Sequence, residues 1–156
     1  MTLRYLEDFE IGQTFSSGRF RIDADRIKSF AAEFDPQPFH LDEKAATDSI
    51  FGGLAASGWH TAAITMKLMV ESDLKIAGGI VGTSFEELRW SRPVRPGDVL
   101  YVVSEVLEIR ALKSRPNQGV IKVRNTTLNQ SDEPVQVLVG NLFVLRRPVS
   151  SEQKER

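Results

Sequence analysis

Asp35 and His40 stand five positions apart in FDPQPFHLDEKAATDSIFGGLAASGWHTAAITMKLM, residues 34–69, and they are the residue types that general acid/base chemistry needs. Imidazole titrates near neutrality, and a carboxylate beside it orients the ring and raises its basicity, so the two together can hold one water and move its proton. Such a pair suits hydration or elimination. Taken alone, the spacing favours a plainer reading, in which Asp35 ends a helix and His40 is a hydrogen-bonded loop histidine. Gly58 adds to the pair. The free N–H groups at the start of the apolar helix it precedes can receive a developing oxyanion. Glycine also suits a tight turn there, with Ser57 as a simple N-cap. Pair and donor together form the minimum set for chemistry α,β to a thioester carbonyl.

Other candidates are weaker. His60, with His40 and Asp42, lacks the three or four ligands at recognisable spacing that a zinc site takes, so no metal is expected. A first-turn polar residue near the pocket mouth is the expectation for His60. Thr61 and Thr65 can line a pocket or return their hydroxyls to their own helix. Arg92, Arg95, Lys113 and Arg115 can meet the phosphates of a nucleotide-bearing carrier, although each taken singly reads as solvated turn charge. The glycines at 52, 53 and 58 lack the Lys-Ser/Thr ending of a phosphate loop, and no Gly-x-Ser-x-Gly elbow is present.

The elements that must position these residues follow from pattern. Ile27, Phe30, Ala31 and Phe34 make the stripe of an amphipathic helix with Asp23 as N-cap, and Pro36 stops it at Asp35. Residues 41–47 suit a short helix started by Asp42. The small-residue run 51–58 suits close backbone approach. Residues 59–72 form a helix apolar nearly all round, which predicts burial. A short strand over 13–22 precedes these helices. Four long strands, 80–90, 99–110, 120–129 and 135–145, follow and are joined by short turns. The apolar character of both faces of 99–103 predicts cover on each side of the sheet. One buried helix and a long antiparallel sheet imply an α+β domain with the sheet curled around the helix, the hotdog arrangement. It spans residues 1–149, with a polar tail at 150–156. The exposed edge strand of such a sheet predicts a homodimer.

Composition narrows the function classes. The chain has 156 residues, 20 basic and 21 acidic, for a net charge of -1, so nothing points to nucleic acid. It has no cysteine, which excludes thiolate nucleophiles and disulfides. No apolar run approaches the roughly 20 residues of a membrane span, and the first residues lack a signal-peptide core. A soluble cytoplasmic protein is expected.

Through DFEIGQTF, DPQPFH, LDEKAA, FGGLAASGWH and RPVRPGDVL the chain resembles the MaoC-like acyl-CoA dehydratases, among them the (R)-specific enoyl-CoA hydratases of the hotdog fold. The resemblance implies reversible addition of water to a 2-enoyl-CoA. Asp35 and His40 would activate the water, and the Gly58 N–H would stabilise the enolate oxygen. It implies an acyl-CoA as substrate and partner, with no metal or redox cofactor. Gln37 stands where many hydratases have Asn, Ser57 where His often precedes the glycine, and Met66 where a pocket serine is seen. Trp59 at the helix entrance would reshape the acyl tunnel. Ser57, Trp59, His60 and Met66 are therefore the expected substrate-binding residues. A hotdog thioesterase and a non-catalytic acyl-CoA-binding module are the alternatives.

Overall fold

Turn-rich segments divide the C-terminal half into long stretches of β-branched and aromatic residues, which favour the pleated backbone. In the computed structural model, which describes residues 2–149, they form β3 (Val81–Trp90), β4 (Val99–Ala111), β5 (Gln118–Leu128) and β6 (Pro134–Leu145). Two short strands, β1 (Thr14–Ser16) and β2 (Phe20–Arg21), replace the one expected over 13–22. Ser16 lies opposite Val103 and Phe20 opposite Leu100, so one extra residue bulges out and divides the strand. These strands all pair antiparallel, in the order β1-β4-β5-β6-β3, with β2 also on β4.

Along β4, Leu100, Val102 and Val106 are buried while Val99, Tyr101 and Val103 are half-covered, so the two apolar faces are not equally shielded. The buried face joins Ile22, Ile27, Ile121, Val123 and Val135 in the core. Each such side chain contributes about 1.5–3 kcal/mol relative to exposure.

Helix α1 (Ala24–Phe34) starts at Asp23, whose carboxylate accepts the Arg26 N–H, and it buries Ile27 and Ala31. An unexpected turn, α2 (Pro38–Leu41), precedes the short helix expected over 41–47 and started by Asp42, which forms as α3 (Glu43–Thr47). Asp42 divides them. Its extended backbone closes α2, and its carboxylate caps α3 by accepting the Ala45 N–H.

Helix α4 (Gly58–Glu71) packs against the sheet and buries His60, Thr61, Ile64, Thr65, Leu68 and Met69. The expectation of burial all round needs correction, because Trp59 is 58% exposed and Met66 and Val70 also face outward. One sheet reaches only one side of a helix. The edge strand β3 is likewise uncovered, with Val81, Phe85 and Trp90 exposed. No helix among the described residues is long and apolar enough to cross a membrane. The expected polar tail at 150–156 lies outside the described residues.

Candidate active site

Pro36 cannot continue α1, so Asp35 caps its C-terminal end, with a non-helical backbone and its N–H still bonded to the Ala31 carbonyl. Pro38 then opens α2, a single turn that carries His40 inward until it is 4% exposed. This proline-bracketed reversal brings Asp35 Oδ2 to 3.3 Å from His40 Nε2. Both groups are oriented by further bonds. Gln37 Nε2 donates to Asp35 Oδ1 at 2.5 Å, and Ser57 Oγ donates to Oδ2 at 2.7 Å. Partial burial disfavours the Asp35 carboxylate. The bonds from Gln37 and Ser57, with the charge His40 can carry, outweigh that and hold its pKa below the usual value.

His40 Nδ1 lies 2.6 Å from the Ala55 carbonyl oxygen. A carbonyl only accepts, so Nδ1 carries a proton and Nε2 is the nitrogen turned toward Asp35. With a lone pair on Nε2 facing a carboxylate, the close approach is favourable when the two groups share one proton. The pair can therefore give a proton at one member and take it at the other.

Ser57 has two roles. Its oxygen accepts the Trp59 N–H and caps α4, while its hydroxyl proton goes to Asp35. Among the described residues the Gly58 N–H has no acceptor. His40, Gly58 and Thr61 line one cavity of about 200 Å³, together with Phe51, Trp90 and the turn 91–94. Glycine at 58 is required by packing, since a Cβ there would lie 2.4 Å from the Trp90 indole. The sequence alone had linked this glycine to the approach of an oxygen.

The structure brings together Asp35, His40, Ser57 and Gly58, and it sets Trp59, His60 and Met66 apart. Trp59 meets Trp90 edge-on at 5.3 Å but faces out, as does Met66, and neither lines the cavity. His60 is buried against Phe30, with rings stacked at 4.4 Å and 5°, and its Nδ1 finds no partner among the described residues. Burial, then the charge of Arg26, pushes its pKa below the ordinary value. Among the described residues no group of three or more His, Cys, Asp or Glu could hold a metal ion.

Sequence reasoning missed three residues. Trp90 lines the cavity and donates from Nε1 to Gln136 Oε1 at 2.9 Å. Gln136 Nε2 donates in turn to Thr65 Oγ1, which is 2.6 Å from Thr127 Oγ1. The signal was a lone glutamine in the apolar run VQVLV, since a fully buried amide demands partners. Thr65 also bonds the Thr61 carbonyl in its own helix. Of the four turn cations considered for phosphates, Arg92 borders the cavity and pairs with Glu133, Arg115 lines a different cavity, and Arg95 grips backbone carbonyls.

A long antiparallel sheet against one principal helix is a hotdog fold, and the carboxylate–imidazole pair near that helix's N-terminus is its candidate acid/base site. The chain belongs to the MaoC-like dehydratase family: the family's MaoC-like domain matches residues 8–129. The crystal structure of a MaoC-like dehydratase from Rhodospirillum rubrum is 54% identical, with 94% of this chain and 99% of that one covered and a TM-score of 0.91. The unliganded R-hydratase PhaJ1 of Pseudomonas aeruginosa is 25% identical over 94% and 95% of the two chains, with a TM-score of 0.70. For the fold alone, a double-hotdog protein of Mycobacterium tuberculosis, 18% identical, gives a TM-score of 0.76. This chain covers 46% of that protein and 96% of itself is matched. The family includes hydratases and dehydratases, which makes a hydro-lyase the kind of enzyme to which the chain is related.

Proposed function

We propose that the protein adds water reversibly to a 2-enoyl-CoA, giving the 3-hydroxyacyl-CoA. The observation that carries this reading is the 3.3 Å approach of Asp35 Oδ2 to His40 Nε2 beside a cavity that also holds the free Gly58 N–H. In the hydration direction, a water bound against the two groups gives a proton to one member of the pair. Its oxygen forms the bond to Cβ. The electron pair of the double bond moves to the thioester oxygen, where the Gly58 N–H stabilises the enolate. The other member then delivers a proton to Cα, and a proton passing between them restores the pair. General acid/base action of this kind contributes about 10²–10⁴-fold, and an oxyanion donor about 10²–10³-fold.

The R-hydratase likeness supports the reaction type, and a separate acid and base, paired where His40 lines the cavity, suit elimination better than hydrolysis. The reading needs no metal or redox group, since adding water involves no net oxidation or reduction, and it takes the CoA thioester as substrate. A cytoplasmic location fits a CoA-dependent reaction. Incubation with crotonyl-CoA tests it: loss of the enoyl absorbance without free thiol is expected, whereas free thiol means thioester hydrolysis. Binding without turnover would mean a carrier module.

The same reading includes a homodimer. The uncovered β3 edge, with Val81 and Phe85, and the outer face of α4, with Trp59, Met66 and Val70, give a second copy both a strand to pair with and apolar surface to cover. Light scattering should give twice the chain mass. Phe85→Glu should shift the species toward monomer, and a monomeric wild type would remove the dimer from the account.

A further inference from the structure

The run 51–56 between α3 and α4 forms no helix or strand, so no ladder of regular hydrogen bonds fixes it. Yet the orientation of His40 depends on it, because the Ala55 carbonyl accepts from Nδ1. Arg95, in the turn after β3, fixes this run instead. Its Nη1 donates to the carbonyls of Gly53 at 2.8 Å and Leu54 at 3.3 Å, and its Nη2 donates to that of Phe51.

Three carbonyls gripped by one guanidinium use the planar fork of donors that only arginine offers. Among the described residues Arg95 has no carboxylate partner for its side chain, so its charge is directed at these peptide oxygens. The seat is fitted to it: a Cβ on Gly53 would lie 3.2 Å from Nη1. The base of the clamp is itself held. The Arg95 N–H donates to buried Asp98, whose second oxygen accepts from Gln130 Nε2, and the adjoining Val94 carbonyl accepts the Ala56 N–H at 2.9 Å. Ala55 therefore lies between two anchored neighbours; its own N–H makes a long 3.4 Å bond to the Phe39 carbonyl, and its carbonyl accepts from His40.

We propose that Arg95 is a positioning residue for the acid/base pair: by clamping the carbonyls of residues 51, 53 and 54 it fixes the Ala55 carbonyl that orients His40 toward Asp35. The kinetic half of this inference rests on the hydratase reading, and the orientation half does not. Loss of the clamp leaves Asp35 and His40 in place chemically but lets the imidazole turn.

Arg95→Met and Arg95→Lys test this. The enoyl-CoA assay is run beside nitrogen-15 histidine spectra, in which a His60→Phe sample assigns the signals of the two histidines. In the wild type the His40 Nδ1–H should resist exchange with water. Arg95→Met should lose that protection and lower kcat roughly 10–100-fold with KM within about twofold, the cost of misplacing a catalytic group by about an ångström. Arg95→Lys, which keeps the charge but not the fork, should lie between. Folded Arg95→Met with wild-type kcat and a protected Nδ1–H would overturn the proposal. Should that variant fail to fold, Arg95→Lys decides in the same two terms. A wild type that hydrates no enoyl thioester would remove the hydratase reading while the exchange comparison still decides the role of Arg95.

Discussion

His40 and His60 are both buried, and each faces the interior from the first turns of a helix, but they sit in opposite chemical surroundings. His40 has an acceptor for Nδ1, a carboxylate 3.3 Å from Nε2 and an open cavity beside it. His60 has the flat face of Phe30 at 4.4 Å and no hydrogen-bond partner for Nδ1 among the described residues. The charged form of His60 is penalised by burial and by Arg26. In the proposed reaction a buried histidine becomes a proton carrier through its acceptor, its counter-charge and the cavity beside it, whereas burial against an aromatic ring makes it a neutral packing piece.

The largest way to break this contrast is to remove the counter-charge. Asp35→Asn or His40→Ala should each lower kcat by roughly 10²–10⁴-fold while circular dichroism stays native. A variant of either residue with near wild-type turnover would reduce His40 to the same status as His60.

Ser57→Ala sharpens the contrast at the carboxylate. It removes one of the two side-chain bonds that hold the Asp35 pKa down, so the acid limb of the kcat–pH profile should move to higher pH. A fall in kcat of roughly tenfold is expected, about the 1.5 kcal/mol lower bound for a hydrogen bond to a charged group. An acid limb that stays in place would mean that Ser57 serves only as the cap of α4.

The smallest effect is expected at His60. His60→Phe keeps the stack on Phe30 and should leave kcat within about twofold, since the ring does not line the cavity. Its signature is in stability. The His60 pKa is lower in the folded chain than unfolded, so the unfolded state binds the extra proton as pH falls below 6.5, and stability is lost down to the folded pKa. Urea titrations should show less acid destabilisation over that window in His60→Phe than in the wild type. Equal slopes would contradict a neutral, desolvated His60.

The difference between the two histidines was only partly legible in the sequence. Pro36 and Asp23 act on their immediate neighbours, so the start and end of α1 followed from local rules, whereas the turn α2 that carries His40 inward was legible only as loop. The stacking partner of His60 lies 30 positions back, and no local pattern joins Phe30 to it. Arg95 was legible only as turn charge because its carbonyl partners lie 41 to 44 positions earlier. The outward placement of Trp59 and Met66 escaped for another reason. A helix apolar all round states that its surface is covered, but not whether its own sheet or a second chain covers it. The strand pattern fared better, because turns and alternation are local, and only the divided first strand depended on its register with β4.

The most direct test of the central claim is the crotonyl-CoA reaction followed simultaneously for enoyl absorbance and free thiol, in the wild type and in Asp35→Asn. The account predicts wild-type loss of the enoyl signal with 3-hydroxyacyl product and no thiol, and almost none in the variant. Thiol release, or equal hydration by both proteins, would contradict it.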